Sequence, residues 1–196
     1  PAPARAAPAA IAAAAIHQAQ RSTGSGAALV GRVAIFGEDD RGPVPTALLE
    51  TRDKIGLLYN GKAQILCTAF CVARDIIATA AHCLYRTADD RPPALADFVF
   101  ARSRTQTEGA TRIGGYASKS ISQNIISGNM HIRVRPPIDA ASDWALIRLS
   151  APSCKSALPV KVLSNEDIAA AAQANRVFQL SYHRDYDNWE LAYSKP

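Results

Sequence analysis

The chain has 196 residues, is 48% hydrophobic, and carries 22 lysines and arginines against 17 aspartates and glutamates. That length and apolar content suffice for a sizeable core and exclude a wholly disordered tail. The basic residues are scattered without a nucleic-acid motif, and no run of about eighteen apolar residues occurs, so neither nucleic-acid binding nor a membrane-spanning helix is expected.

Residues 1–28 are dominated by alanine with interspersed proline and run into Arg21-Ser22-Thr23-Gly24-Ser25-Gly26. This low-complexity composition reads as a pro-segment or linker. Its weakly apolar middle, Ile11 to Ile16, is compatible with a helix or a secretion-signal remnant but lacks the charged start. A start at Pro1 rather than Met predicts processing or truncation. Gly31-Arg32-Val33 is either a processing point or an ordinary loop, which sets the leading segment at 1–32.

The globular pattern begins near Val33, with a polar turn cluster over residues 37–43. Ile55 to Tyr59 and Lys62 to Phe70 flank Asn60-Gly61, a hairpin signal because both residues tolerate positive φ. A third strand, Asp75 to Thr79, leads to His82, followed by a short helical turn through Tyr85. Asp89 to Pro93 reads as a loop and Leu95 to Ala101 as a strand. Residues 102–130, rich in Ser, Thr, Gly and Asn, offer few apolar anchors beyond Ile121, Ile125 and Ile126. His131 to Val134 is a short strand stopped by Pro136-Pro137. Asp143 opens the strand Trp144 to Leu149, and Val160 to Leu163 gives another. Ser164 or Asn165 can cap a helix through Ala172, with Glu166 and Asp167 in its first turn. Arg176 to Tyr182 and Trp189 to Tyr193 close the chain as strands. Many short strands with closely spaced turns and one brief helix predict an all-β sandwich or barrel.

Four cysteines, Cys67, Cys71, Cys83 and Cys154, allow three full pairings. Cys67, Cys71, His82 and Cys83 could also ligate zinc in a C-x3-C arrangement, but the intervening residues are apolar and strand-like where a zinc ribbon needs a polar knuckle. No metal or other cofactor is expected. His183-Arg184-Asp185-Tyr186-Asp187 could be imagined as a metal loop and reads better as a turn.

Cys67 to Phe70, together with Ile76-Ile77-Ala78-Thr79-Ala80-Ala81-His82-Cys83, resembles the histidine motif of the chymotrypsin/trypsin superfamily. Ser142-Asp143-Trp144-Ala145-Leu146-Ile147-Arg148-Leu149 resembles its aspartate motif, in the family's order. Glu38 to Arg41, Pro43-Val44 and Ile55-Gly56 resemble more softly the secreted bacterial branch typified by glutamyl endopeptidases. The resemblance covers roughly residues 33–196 and implies a double antiparallel β-barrel. The first barrel would occupy 33–155, and 156–196 would begin an incomplete second one. It implies a secreted or periplasmic serine endopeptidase acting on polypeptides, with His82 as base and Asp143 as the acid that orients it.

A Cys67–Cys83 disulfide would tie the histidine turn to the hairpin strand. Cys71 and Cys154 are then without obvious partners: Cys154 could bond to an absent segment, Cys71 could be a buried hydrophobe, or the two could pair.

The family's nucleophile sits in a Gly-Asp-Ser-Gly-like turn after the aspartate. The later serines, Ser150, Ser153, Ser156, Ser164, Ser181 and Ser194, have no flanking glycine, and Gly24-Ser25-Gly26 lies upstream of His82 in the linker. No nucleophile is therefore assigned within the chain, and the substrate-reading residues are unassigned too. Val33 to Pro196 is 164 residues, whereas a two-barrel unit needs roughly 200 or more. The expectation is a C-terminally truncated and inactive enzyme fragment, monomeric or paired with a separate C-terminal segment. A protease-like binding module that has lost catalysis is the alternative.

Overall fold

The computed structural model describes residues 39–84, 95–102, 111–112, 124–128, 140–186 and 189–195. The leading segment 1–32, the Arg32-Val33 processing point, the Asp89 to Pro93 loop and the His131 to Val134 strand lie outside them, as do Tyr85 and Ile121.

Strands dominate. A seven-stranded antiparallel sheet contains β2 (Ile55–Asn60), β3 (Ile65–Cys71), β4 (Ile76–Thr79), β5 (Phe98–Ala101), β6 (Thr111–Arg112), β7 (Ile125–Ser127) and β8 (Ala145–Arg148), in the order β6-β5-β2-β3-β4-β8-β7. A three-stranded sheet has the order β1-β10-β9, formed by β1 (Gly42–Pro43), β9 (Gln179–Tyr182) and β10 (Leu191–Ser194). Among the described residues these are two open sheets, with no closed barrel. Two helices accompany them, α1 (Leu49–Arg52) and α2 (Asn165–Gln173), of which only α2 was expected.

β2 is buried along its whole length, and the two-residue period of a strand splits its side chains between two cores. Leu58 joins Ile65, Ala69, Ile77, Phe98, Phe100 and Ile147 on one face. Ile55, Leu57 and Tyr59 join Val99, Ala101, Tyr182 and Leu191 on the other. β5 divides in the same way. The small sheet therefore covers the second face of the large one, and the Tyr182 amide donates to Thr68 Oγ1 across the contact at 2.8 Å. Gly56 is needed where β2 and β5 touch, because a Cβ there would sit 2.3 Å from the Phe100 ring.

The Asn60-Gly61 hairpin forms, but with a four-residue turn, and β3 starts at Ile65 rather than Lys62. Asn60 stays in the ladder opposite Ile65 while its Oδ1 accepts from the Ala63 amide at 3.0 Å. Gln64, at φ 55°, makes the left-handed step. The expected strand Val160 to Leu163 is absent. Those residues are irregular, and Val162 is fully exposed, so alternation in the sequence found no partner strand among the described residues to bury it. Conversely β7, from the stretch with few apolar anchors, is a strand because Ile125 packs onto the first core. Ser164 is the cap of α2: its Oγ accepts from the Asp167 amide and the Asp167 side chain reaches back to the Ser164 amide.

Both disulfides are formed, Cys67–Cys83 and Cys71–Cys154. The second closes the question left by the sequence: the partner of Cys154 is Cys71, not an absent segment, and Cys71 is not a lone buried thiol. No helix of the described residues is long and apolar enough to cross a membrane.

Candidate active site

β4 and β8 are antiparallel neighbours with Thr79 opposite Ala145 and Ile77 opposite Ile147. The chain leaving the end of β4 and the chain entering β8 therefore emerge at the same edge of the sheet. His82 lies in a 3-10 turn, Ala81–Leu84, beyond β4. Asp143 lies between another such turn, Ala140–Ser142, and β8. Three constraints hold the histidine turn: Ala81 and Leu84 are wholly buried, Cys83 is disulfide-bonded to Cys67 of β3, and the Thr79 hydroxyl donates to the Thr68 carbonyl at 2.8 Å.

Asp143 grips His82 twice. Its Oδ2 is 2.7 Å from His82 Nδ1, and its Oδ1 accepts from the His82 backbone amide at 2.9 Å. An ionised carboxylate only accepts, so Nδ1 carries the proton and the lone pair is left on Nε2. The side chains differ in environment: Asp143 is 14% exposed and His82 56% exposed. The carboxylate is thus sheltered while the imidazole faces solvent, which suits a group that must meet a substrate. The structure brings His82 and Asp143 together.

Three of the downstream serines are engaged with other groups. Ser153 Oγ donates to the Ala151 carbonyl, Ser164 Oγ to Asp167, and Ser181 Oγ shares a 2.7 Å hydrogen bond with His183 Nε2. Each of these hydroxyls is engaged with a group other than His82.

The zinc alternative fails in this structure on chemistry rather than distance. The donor atoms of Cys67, His82 and Cys83 lie within 4.8 Å of one another, but the two sulfurs are bonded to each other and offer no thiolate, and Cys71 is tied to Cys154. The 183–187 stretch is a turn where it is described. Asp185 there belongs to an ion cluster: Arg41, whose side chain is 8% exposed, bonds Asp39 at 2.8 Å and Asp185 at 2.9 Å. These bonds hold Asp39 down to about 2, and Asp185 below the ordinary carboxylate range, while raising Arg41. Burial, helped by Arg41, lowers His183. The cluster pins β1 to the β9–β10 end of the small sheet, and the Lys195 amide donates to Asp40 beside it. The sequence offers Asp39 to Arg41 as part of a polar turn and of the softer family likeness, and Asp185 as part of a turn; its one signal for an ion pair is the change of sign between Asp39-Asp40 and Arg41.

Arg102 was also missed. Its guanidinium donates to the carbonyls of Ile55 and Ser153 and lies over the Phe100 ring, joining β2 to the segment that carries Cys154.

A family model described as Trypsin matches residues 50–189. No curated protein matches the chain. Among solved structures, the fold is similar to that of a Glu endopeptidase in complex with MPD, with a TM-score of 0.50 and 16% sequence identity. The likeness covers 67% of this chain and 56% of that one, so the chain spans little more than half the length of that relative.

Proposed function

Since the chain belongs to the trypsin family, we propose that it carries the base and the orienting acid of a serine endopeptidase. The observation that bears most weight is the pair of hydrogen bonds that Asp143 accepts from the Nδ1 and the backbone amide of His82. It fixes ring orientation and tautomer together, leaving Nε2 to take a proton from a hydroxyl nucleophile. In the complete reaction a serine attacks the peptide carbonyl, His82 passes that proton to the leaving amine, and water then releases the acyl-enzyme. Asp143 stabilises the imidazolium formed at each transfer without taking the proton itself. The serine is assigned to polypeptide outside these 196 residues, and the chain alone is expected to be inactive.

Substrates are polypeptides, and a preference for glutamate is the option suggested by the softer likeness to glutamyl endopeptidases. Two disulfides favour an oxidising compartment, hence secretion or the periplasm. The encoded, processed protein should react with a fluorophosphonate, and His82→Ala should abolish labelling. Wild-type protein that never labels, yet keeps the His82–Asp143 bond, would overturn the peptidase reading in favour of a binding module built on a protease fold.

A further inference from the structure

We infer that Gly128 is a positioning residue for Asp143, acting through the carbonyl of Ser142. The geometric part of this claim is independent of the peptidase reading; only its kinetic consequence rests on it.

Asp143 occupies the centre of a three-residue turn. The Trp144 amide donates to the Ser142 carbonyl across it at 3.1 Å, and the Asp143 amide donates back to Ala140 at 3.2 Å. The Ser142 carbonyl is therefore the backbone group that sets how the Asp143 side chain leaves the loop. Gly128 sits directly on it. β7 pairs with β8 through Ser127 opposite Ala145, and the next residue, Gly128, extends the contact by donating its amide to the Trp144 carbonyl at 2.9 Å. A Cβ on Gly128 would lie 2.1 Å from the Ser142 oxygen and 3.0 Å from Trp144 Nε1. The first of these is backbone held in a hydrogen bond, so it cannot swing aside as a side-chain tip would.

A methyl group at 128 has two ways to relieve that overlap. It can lift β7 away from β8, breaking the bond to Trp144, or it can displace the Ser142 carbonyl and rotate Asp143 out of the turn. The first route strips Ile125 from the core. The second disturbs two hydrogen bonds to His82 that depend on the placement of one carboxylate. The absence of a side chain at 128 thus lets the edge strand close over the loop and hold the carboxylate where both bonds to His82 form.

Proton NMR of the full chain provides the test, reading the far-downfield resonance of a histidine Nδ1–H bonded to carboxylate. Three glycine-to-alanine variants separate causes. Gly42→Ala meets nothing within 4 Å and reports the substitution alone; Gly56→Ala strikes the Phe100 ring and reports core damage remote from the site. Both should retain the resonance wherever they are folded. Gly128→Ala should lose it, or shift it upfield, at temperatures where its circular dichroism remains native. In labelling-competent protein the same variant should lower kcat about 10- to 100-fold with little change in KM, as expected for a small misplacement of a catalytic group. A native resonance in folded Gly128→Ala overturns the inference. So does a Gly128→Ala chain that fails to fold where Gly56→Ala folds, since Gly128 would then act in packing alone. Loss of the resonance in folded Gly128→Ala, kept in a wild-type protein that never labels, would uphold positioning while removing the peptidase reading.

Discussion

Thr79 and Ala145 form the register pair at the end of β4 and the start of β8. That pairing places His82, which follows Thr79 by three residues, against Asp143, which precedes Ala145 by two. A one-residue slip of β8 would turn Ile147, fully buried, toward solvent and Arg148 into the core. The core therefore enforces the register, and the register brings the histidine and the carboxylate to the same edge.

Asp143→Asn should keep the shape of the pair and change its chemistry. An amide can donate as well as accept, so it no longer dictates which imidazole nitrogen holds the proton. Fluorophosphonate-reactive protein should lose roughly 10⁴-fold in kcat near neutral pH, while urea unfolding shows little change. A drop of less than about tenfold would remove Asp143 from its proposed role.

The two disulfides should separate stability from site geometry. Cys71–Cys154 spans 83 residues and Cys67–Cys83 spans 16, so chain entropy assigns about 4.5 kcal/mol to the first and about 3 kcal/mol to the second. Paired serine substitutions should lower the urea midpoint in that order. Only the Cys67→Ser/Cys83→Ser protein should also weaken the downfield His82 proton, because that bridge holds the histidine turn. Equal effects on the resonance from both double variants would contradict this division.

Acid should destabilise the protein in two stages. Folding lowers the proton affinity of His183, so the unfolded chain binds more protons and stability falls as pH drops below about 6.5. Asp39 and Asp185 are also lowered on folding, by Arg41. The contribution of Asp39 is intact above about 4 and is lost as pH falls toward about 2, and that of Asp185 is lost in the same direction as its carboxylate protonates. Melting temperatures measured against pH should show both declines. His183→Gln should remove the upper one, and Asp185→Asn should shrink the lower. A flat profile between pH 7 and 5 would contradict the assignment to His183.

Ser164→Ala removes a capping hydrogen bond worth about 1 kcal/mol to its helix. No residue of α2 is buried, so the loss should stay local. Amide exchange within 165–173 should accelerate several-fold, while the midpoint of global unfolding stays within error. A matching fall in global stability would mean that α2 is coupled to the core.

Much of the site was legible because its residues sit beside mostly apolar, strand-like runs. Ile76 to Ala81 and Ala145 to Leu149 carry strand patterns strong enough to survive folding, and the polar residue at each end is the one the fold presents. Tertiary effects explain the remainder. Val160 to Leu163 has the composition of a strand and no neighbour to pair with among the described residues, whereas Ile125 and Ile126, read as scattered anchors, gained one in β8. Nothing local to Arg41 or Arg102 announces partners such as Asp185 or Ser153, more than forty positions away. Gly128 escaped notice for a similar reason: its importance lies in a carbonyl fourteen positions later in the chain.

The two disulfide loops overlap rather than nest, since Cys71 falls inside the 67–83 loop while its partner Cys154 falls outside. Any single backbone cut between Cys67 and Cys154 leaves at least one bridge joining the two pieces. A protease nick at any loop in this region therefore liberates no fragment, and electrophoresis would reveal it only after reduction. That covalent topology lets the histidine and aspartate segments remain one molecule after a single cleavage.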